Sequence, residues 1–287
     1  MDALGIQFSQ PLNDLKIEDI EKFRSYVYDM YYLNRRSFSW RDTQDPYHIL
    51  VSEVMLQQTQ VSRVIDKYQQ FLSTFPTIYD LAAADLRQVL SVWVGLGYNR
   101  RAMTLHRSAR IIVQQFDGKV PSSAEDLVQL PGIGVNTVGS IQAFAFNYPS
   151  VFIETNIRSV MIYTWFYNGE PVHDRQIIPF VRQTLDEDNP REWYYALMDY
   201  GVILKRFMKN PSRKSSHYSK QSQFKGSDRQ IRGAIIKHLT QIERVSWKEL
   251  VMILKDSEER IRNIVDQLCF ENLIRKTDDG CLTLCGL

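Results

Sequence analysis

The sequence predicts a mainly α protein, an all-helical body followed by a small winged-helix-like module. Three observations carry this. Apolar residues recur at three- and four-residue spacing across most of residues 15–206, the period of a helix with one buried face. Strand-type alternation is almost absent before residue 273. Three short helical patterns (229–240, 246–255 and 258–272) then lead into two strand-like runs, 273–276 and 281–284, joined by Asp278-Asp279-Gly280, and Asp-Gly is a strong hairpin signal. A body of about ten helices is the economical reading.

In chain order, Ile20, Phe23, Val27, Met30 and Tyr31 define a helix over 15–35. Residues 38–47 are irregular, because Asp45-Pro46 disfavours helix before the proline. One long helix is expected over 49–75, with Leu50, Val54, Val61 and Ile65 on its core face and Glu53, Gln57 and Gln60 beside it. Further helices are expected at 84–93, 100–116, 124–130, 135–147, 156–167, 174–186 and 190–206. Residues 205–237 contain ten Lys and Arg against one acid, Asp228, and the stretch 210–226 lacks apolar periodicity, so it reads as a linker or wrapping loop.

Composition narrows the function classes. Hydrophobic content of 44% and charged content of 24% are ordinary for a globular protein, and no apolar run is long enough to span a bilayer. Residues 1–5 lack the basic start and apolar core of a secretion signal. A net charge of +2 requires any nucleic-acid surface to be a local patch. Cys269, Cys281 and Cys285 match no disulfide framework or four-ligand metal site, and the five histidines show no ligand spacing. A cytoplasmic monomer with no metal and no cofactor is expected.

Between two helical patterns lies Leu130-Pro131-Gly132-Ile133-Gly134-Val135-Asn136-Thr137-Val138-Gly139. Gly132 and Gly134 allow backbone conformations closed to other residues. A helix starting at Val135 would turn its unpaired N–H groups and positive dipole end toward one phosphate. An ordinary helix–helix turn fits this stretch equally well.

Other motifs decide between them. Trp40-Arg41, Asp45-Pro46-Tyr47, Ser52-Glu53-Val54-Met55-Leu56-Gln57-Gln58-Thr59-Gln60-Val61, Gly95-Leu96-Gly97-Tyr98 and the 130–139 hairpin occur in order over residues 35–205. Together they resemble the MutY-like adenine-DNA glycosylases of the helix-hairpin-helix superfamily. The resemblance implies two helical lobes, one of six helices over about 46–150 and one from the N-terminal and 151–204 helices. The body would then be 1–204, followed by a basic loop at 205–225 and the winged-helix-like module at 226–287. It implies that Glu53 protonates the departing base and that Glu154 stabilises the positively charged sugar. Gln57, Gln58, Tyr98, Asn136 and Asn156 would enter the DNA stack or line the base pocket. Gly132, Gly134, Val135, Lys209, Arg213 and Lys214 would contact phosphates of double-stranded DNA.

The carboxyl pair has a chemical rationale of its own. Breaking an N-glycosidic bond needs one protonated carboxyl for the base and one ionised carboxylate facing an oxocarbenium-like sugar. Glu53 sits among Val51, Val54, Met55 and Leu56, where desolvation favours protonation. Glu154 opens a helix, whose dipole favours the anion. Taken singly, Glu53 could instead be a core-edge residue paired with Arg63 or Arg41, and Glu154 a helix cap.

The chain departs from the family pattern at four places. The family has aspartate at the place of Glu154. Asn136 stands where related endonuclease III enzymes carry a Schiff-base lysine, so a monofunctional enzyme is expected. The four-cysteine iron–sulphur loop that should follow Met198-Asp199-Tyr200-Gly201 is replaced by Val202-Ile203-Leu204-Lys205-Arg206. The family's C-terminal reader of oxidised guanine is replaced by the short module. Adenine in A·G-type mismatches is the expected target in base excision repair, with selectivity set mainly by the pocket around the extruded base. Another base (mispaired thymine or uracil, or a modified cytosine, as in phage defence) and a non-catalytic lesion sensor remain as alternatives.

Overall fold

The computed structural model describes residues 5–8, 15–168, 170–220 and 223–285; residues 1–4 of the expected unbasic amino terminus lie outside them. The elements run α1 (Ile17–Asn34), α2 (Pro46–Leu56), α3 (Val61–Thr74), α4 (Ile78–Ala83), α5 (Leu86–Trp93), α6 (Arg100–Gln115), α7 (Ala124–Leu127) and α8 (Val135–Phe146). They continue with α9 (Thr155–Trp165), α10 (Asp174–Thr184), α11 (Pro190–Phe207), a 3-10 turn (Pro211–Lys214), α12 (Asp228–Gln241), β1 (Arg244–Val245), α13 (Trp247–Leu254), α14 (Glu258–Phe270), β2 (Ile274–Lys276) and β3 (Leu282–Leu284). The mainly α reading and the C-terminal hairpin hold.

The chain forms two compact units. One comprises the described residues of Met1–Ile49, Ser122–Ala124 and Gly134–Lys220. Its core is aromatic: Phe23 of α1 is buried with Trp165, Trp193, Tyr194 and Tyr200, and its ring meets Trp165 and Trp193 edge-on at 5.9 and 5.7 Å, the geometry that ring quadrupoles favour. Asp199 of α11 is 1% exposed and accepts from Arg36 N and Nε at 2.9 and 2.7 Å. It also takes both terminal nitrogens of Arg41 at 2.9 Å. Burial alone would raise this carboxyl, but the Arg41 and Arg36 hydrogen bonds and charges hold it below its ordinary value. The irregular segment after α1 is thereby tied to α11.

The second unit comprises Leu50–Pro121, Glu125–Ile133 and the described residues of Gln221–Leu287. Helix α8 thus groups with the residues after it, whereas the resemblance placed 134–150 in the lobe beginning near residue 46. The C-terminal module is a three-stranded antiparallel sheet of order β1-β3-β2 behind three helices, the winged-helix arrangement. Strand β1 has only two residues and left no periodic signal. The module is joined to the helical lobe of the same unit by Arg87 of α5. Its NH1 donates to Leu239 O and Ile242 O at 2.5 and 2.6 Å and its NH2 to Glu243 O at 3.2 Å. Leu239 O and Ile242 O lie at the end of α12, where a helix leaves carbonyls unpaired, and a cation there also complements the dipole.

Three expectations are corrected. The long helix over 49–75 is two helices, broken at residues 57–60, and 84–93 is preceded by a separate α4. Capping boxes at Thr77/Asp80 and Asp85/Gln88 start α4 and α5 separately. Because helical phase is lost over 57–60, α3 buries Val64, Tyr68 and Phe71, while Ile65, expected in the core, is 37% exposed. The linker reading of 210–226 fails at its start. Val172 N donates to Lys214 O at 2.9 Å and Ser216 N to Val172 O at 3.0 Å, and Ser212 and Ser215 are buried. This loop is held by its own backbone contacts.

Arg87→Ala should cost about 2 kcal/mol, since a charged donor to several carbonyls is lost. Melting temperature should drop by about 4–8 °C, and limited proteolysis should release the C-terminal module faster than from wild type.

Candidate active site

In the second unit, Glu53 lies half-buried on α2 beside fully buried Val51, Val54 and Met55. The helix stops at Leu56, and the next turn is built by a residue 44 positions away. Arg101 of α6 donates through NH1 to the carbonyls of Val54, Met55 and Gln57 at 2.8, 2.9 and 2.5 Å. Its NH2 donates to Thr59 Oγ1 at 2.8 Å and Gly97 O at 3.3 Å. The guanidinium also lies over the rings of Trp93 and Tyr98 at 5.5 and 5.4 Å. One planar fork thus gathers the end of α2 and the loop before α6. Burial lowers the Arg101 pKa to about 10, so the group remains a cation at neutral pH.

Around this fork, two candidate residues take the left-handed conformation that side chains disfavour, Gln58 at φ 53° and Tyr98 at φ 49°. Such strain persists where surrounding contacts over-determine it, often at ligand sites. Gln57 Nε2 donates to Gly132 O at 3.3 Å. Gly132, at φ 83°, is required twice over, because an added Cβ would sit 2.5 Å from Thr104 Oγ1. Gln57, Gln58, Tyr98 and Gly132 line a cavity of about 440 Å³ that Arg229, Arg232 and Glu271 of the module complete. Arg229 NH1 lies 3.4 Å from Tyr98 Oη, and Arg232 pairs with Glu271 at 2.6 Å.

The first unit holds the other candidates. Gly134 has an extended conformation with open space at its Cβ position, so the expectation that its backbone needs glycine is not met. As the residue before α8 it carries no side chain to cap the first turn, and Val135 is 76% exposed there. Asn136 Oδ1 accepts from Ile153 N at 3.3 Å, which ties the start of α8 to the segment before α9. Glu154 is the N-cap of α9. Its Oε1 accepts from the backbone N–H groups of Asn156 and Ile157 at 2.7 and 2.8 Å, and its Oε2 from Asn156 Nδ2 at 3.1 Å. Three of the four lone-pair sites of the carboxylate are therefore filled by described donors. Asn156 Oδ1 in turn accepts from Lys205 Nζ at 2.7 Å. Lys209, Arg213 and Lys214 are exposed; Lys214 Nζ donates to Tyr167 O.

The cap reading of Glu154, posed as an alternative to catalysis, describes its contacts. Arg41, offered as a partner for Glu53, is committed to Asp199. Sequence reasoning missed Arg101 and treated Lys205 only as one of a basic run. Arg101 left a signal in its neighbourhood, Gly95-Leu96-Gly97-Tyr98-Asn99-Arg100-Arg101; Lys205 left none.

With the geometry in place, comparisons assign the family. Residues 51–179 match the HhH-GPD superfamily of base excision DNA repair proteins. The adenine DNA glycosylase of Mycolicibacterium smegmatis is 32% identical over 273 residues, covering 88% of this chain and 92% of its own length. Those of Buchnera aphidicola and Rattus norvegicus are each 34% identical, over 61% and 66% of this chain but 50% and 39% of their own lengths. This chain thus spans half or less of those two relatives. A thermostable thymine-DNA glycosylase shares the fold with a TM-score of 0.60 at 24% identity, over 69% of this chain and 93% of that one. An endonuclease III trapped on DNA does so with 0.52 at 18%, over 74% and 92%. The chain belongs to the adenine DNA glycosylase family of the HhH-GPD superfamily.

Arg101→Met should expose the cost of its buried carbonyls, at least about 3 kcal/mol since each buried acceptor left unpaired costs about 1–3. Arg101→Lys should recover little, because an ammonium cannot fork. Urea midpoints for both variants test this.

Proposed function

We propose that the chain is an adenine-DNA glycosylase of base excision repair, which flips adenine out of a mispair with guanine and hydrolyses its glycosidic bond. The observation that carries this reading is Glu154, whose carboxylate is held at a helix N-terminus by three N–H donors in a chain of this family. A fixed anion is what a developing oxocarbenium requires. Glu53 delivers a proton to the purine ring as the C1′–N9 bond breaks and its electrons leave with the base. Water adds to C1′, and the proton it gives up restores Glu53. Adenine and an abasic site are the products.

Duplex DNA is the partner in this reading. The open first turn of α8 would take one phosphate, and Lys209, Arg213 and Lys214 would neutralise others. Tyr98 and the amides of Gln57 and Gln58 suit stacking on, and hydrogen bonding to, bases parted by flipping. With Asn136 in place of a lysine, the abasic product is released without a covalent adduct. Iron would have no four-cysteine cradle, since only three cysteines occur in the sequence.

Release of free base from a panel of duplexes tests the activity: adenine opposite guanine, oxidised guanine or cytosine, and mispaired thymine or uracil. Glu53→Gln and Glu154→Gln should each lose about a hundredfold or more in single-turnover rate while binding DNA as wild type does. Cleavage confined to thymine or uracil would replace the adenine reading, and full activity of either variant would remove that residue from the mechanism.

The triple change Lys209→Ala, Arg213→Ala and Lys214→Ala should weaken binding to all sequences alike. The slope of log Kd against log salt should fall by up to about 3, roughly 0.9 per phosphate contact. An unaltered slope would assign these residues to solubility.

A further inference from the structure

Lys205 lies in the last turn of α11, half-buried, and that helix runs along α9 at unusually close range. One turn earlier, Gly201 faces Asn156 so closely that an added Cβ would stand 2.6 Å from Asn156 O and 2.7 Å from its Cβ. Lys205 follows Gly201 by four residues and so shares its face of the helix. Its ammonium reaches Asn156 Oδ1 at 2.7 Å and Thr155 O at 3.4 Å.

Asparagine is normally ambiguous, because its oxygen and nitrogen ends differ little in shape. Here the ambiguity is removed by its flanks. On one side is an ammonium, which can only donate; on the other is the Glu154 carboxylate, which as an anion can only accept. The opposite orientation would set the amide NH₂ against an ammonium and the amide oxygen against a carboxylate. Burial lowers the Lys205 pKa, with the charge of Glu154 acting the other way and Arg158 adding to the lowering. Arg158 is itself taken by Asp174 at 2.7 Å. Glu154 is therefore the anion whose charge supports the ammonium.

We propose that Lys205 is a positioning residue: through Asn156 it aims and holds the Glu154 carboxylate that faces the reacting sugar. It touches no reacting atom. The connected contacts are Lys205 Nζ to Asn156 Oδ1, Asn156 Nδ2 to Glu154 Oε2, and the two backbone N–H groups on Glu154 Oε1. With a glutamate as helix cap, the carboxylate hangs on one more rotatable bond than an aspartate would, and the amide brace removes that freedom. The inference rests on the proposed role of Glu154 in excision.

The test compares Lys205→Met, Lys205→Arg, Asn156→Ala and the Lys205→Met/Asn156→Ala double variant. Single-turnover adenine release, DNA Kd and melting temperature are read on each. Lys205→Met should slow release roughly 10–30-fold with Kd within about twofold of wild type, and Lys205→Arg should recover most of the rate. The double variant should be no slower than Asn156→Ala alone, the non-additivity expected of residues acting through one another. A wild-type rate in Lys205→Met, or losses that multiply in the double variant, would overturn the proposal. So would a weakened Kd that accounts for the whole loss.

A second readout is independent of catalysis. The Asn156 side-chain amide resonances, assigned by their disappearance in Asn156→Ala, should move in Lys205→Met and return toward wild type in Lys205→Arg. Unmoved resonances would overturn the brace itself. Moved resonances in a protein that releases no base from any duplex would uphold the brace and instead sink the functional reading.

Discussion

The guanidinium of Arg101 is the interaction on which the second unit's candidate site depends. A helix end leaves four carbonyls without intrahelical donors, and at the end of α2 three carbonyls from Val54 to Gln57 converge on one terminal nitrogen. The other nitrogen reaches the loop that presents Tyr98. An arginine can do this because its donors are planar and fixed, and because it stays charged when buried. The strain at Gln58 and Tyr98 is what this gathering costs locally. Without it, α2 and α3 would be free to continue as one helix, and Gln57 and Gln58 would point along a helix face.

The first unit solves a related problem with carboxylates. Asp199 is buried against two arginines, an arrangement in which removing either partner leaves a charge without compensation. On either side of Asp199, α11 buries aromatic side chains, Trp193, Tyr194 and Tyr200, and at Gly201 and Lys205 it comes close to the first turn of α9. Glu154 has both its oxygens engaged at that turn. The contacts that cap the start of α9 also fix the Glu154 carboxylate, so under the proposed mechanism stability and chemistry would share one set of hydrogen bonds.

The basic segment after α11 shows how far composition can mislead. The cation-rich stretch 210–226, without apolar periodicity, reads as a linker or wrapping loop, yet Asn210 Oδ1 accepts from Ser212 N at 3.0 Å and Ser159 Oγ at 3.3 Å, and backbone bonds join 214–216 to Val172. Backbone groups and small hydroxyls carry this order, and neither leaves a hydrophobic period to read. Lys205 was hidden by the same run, although its surroundings differ from those of exposed Lys209 and Arg213.

By itself the sequence determined the helical content, the C-terminal hairpin and the 130–135 turn, because each is written in residues within a few positions of one another. Periodicity, Asp-Gly, Pro-Gly and the Ser52–Val61 string are local signals, and local backbone preference suffices to express them. Only the tertiary structure decided that 49–75 breaks at 57–60, that Arg87 joins the module to α5, and that Lys205 faces Asn156. These depend on donors meeting carbonyls or amides tens to more than a hundred residues away. A hydrogen bond of that separation has no period in the chain. It exists only when packing has already brought the two helices together, so it could be found only in the folded molecule.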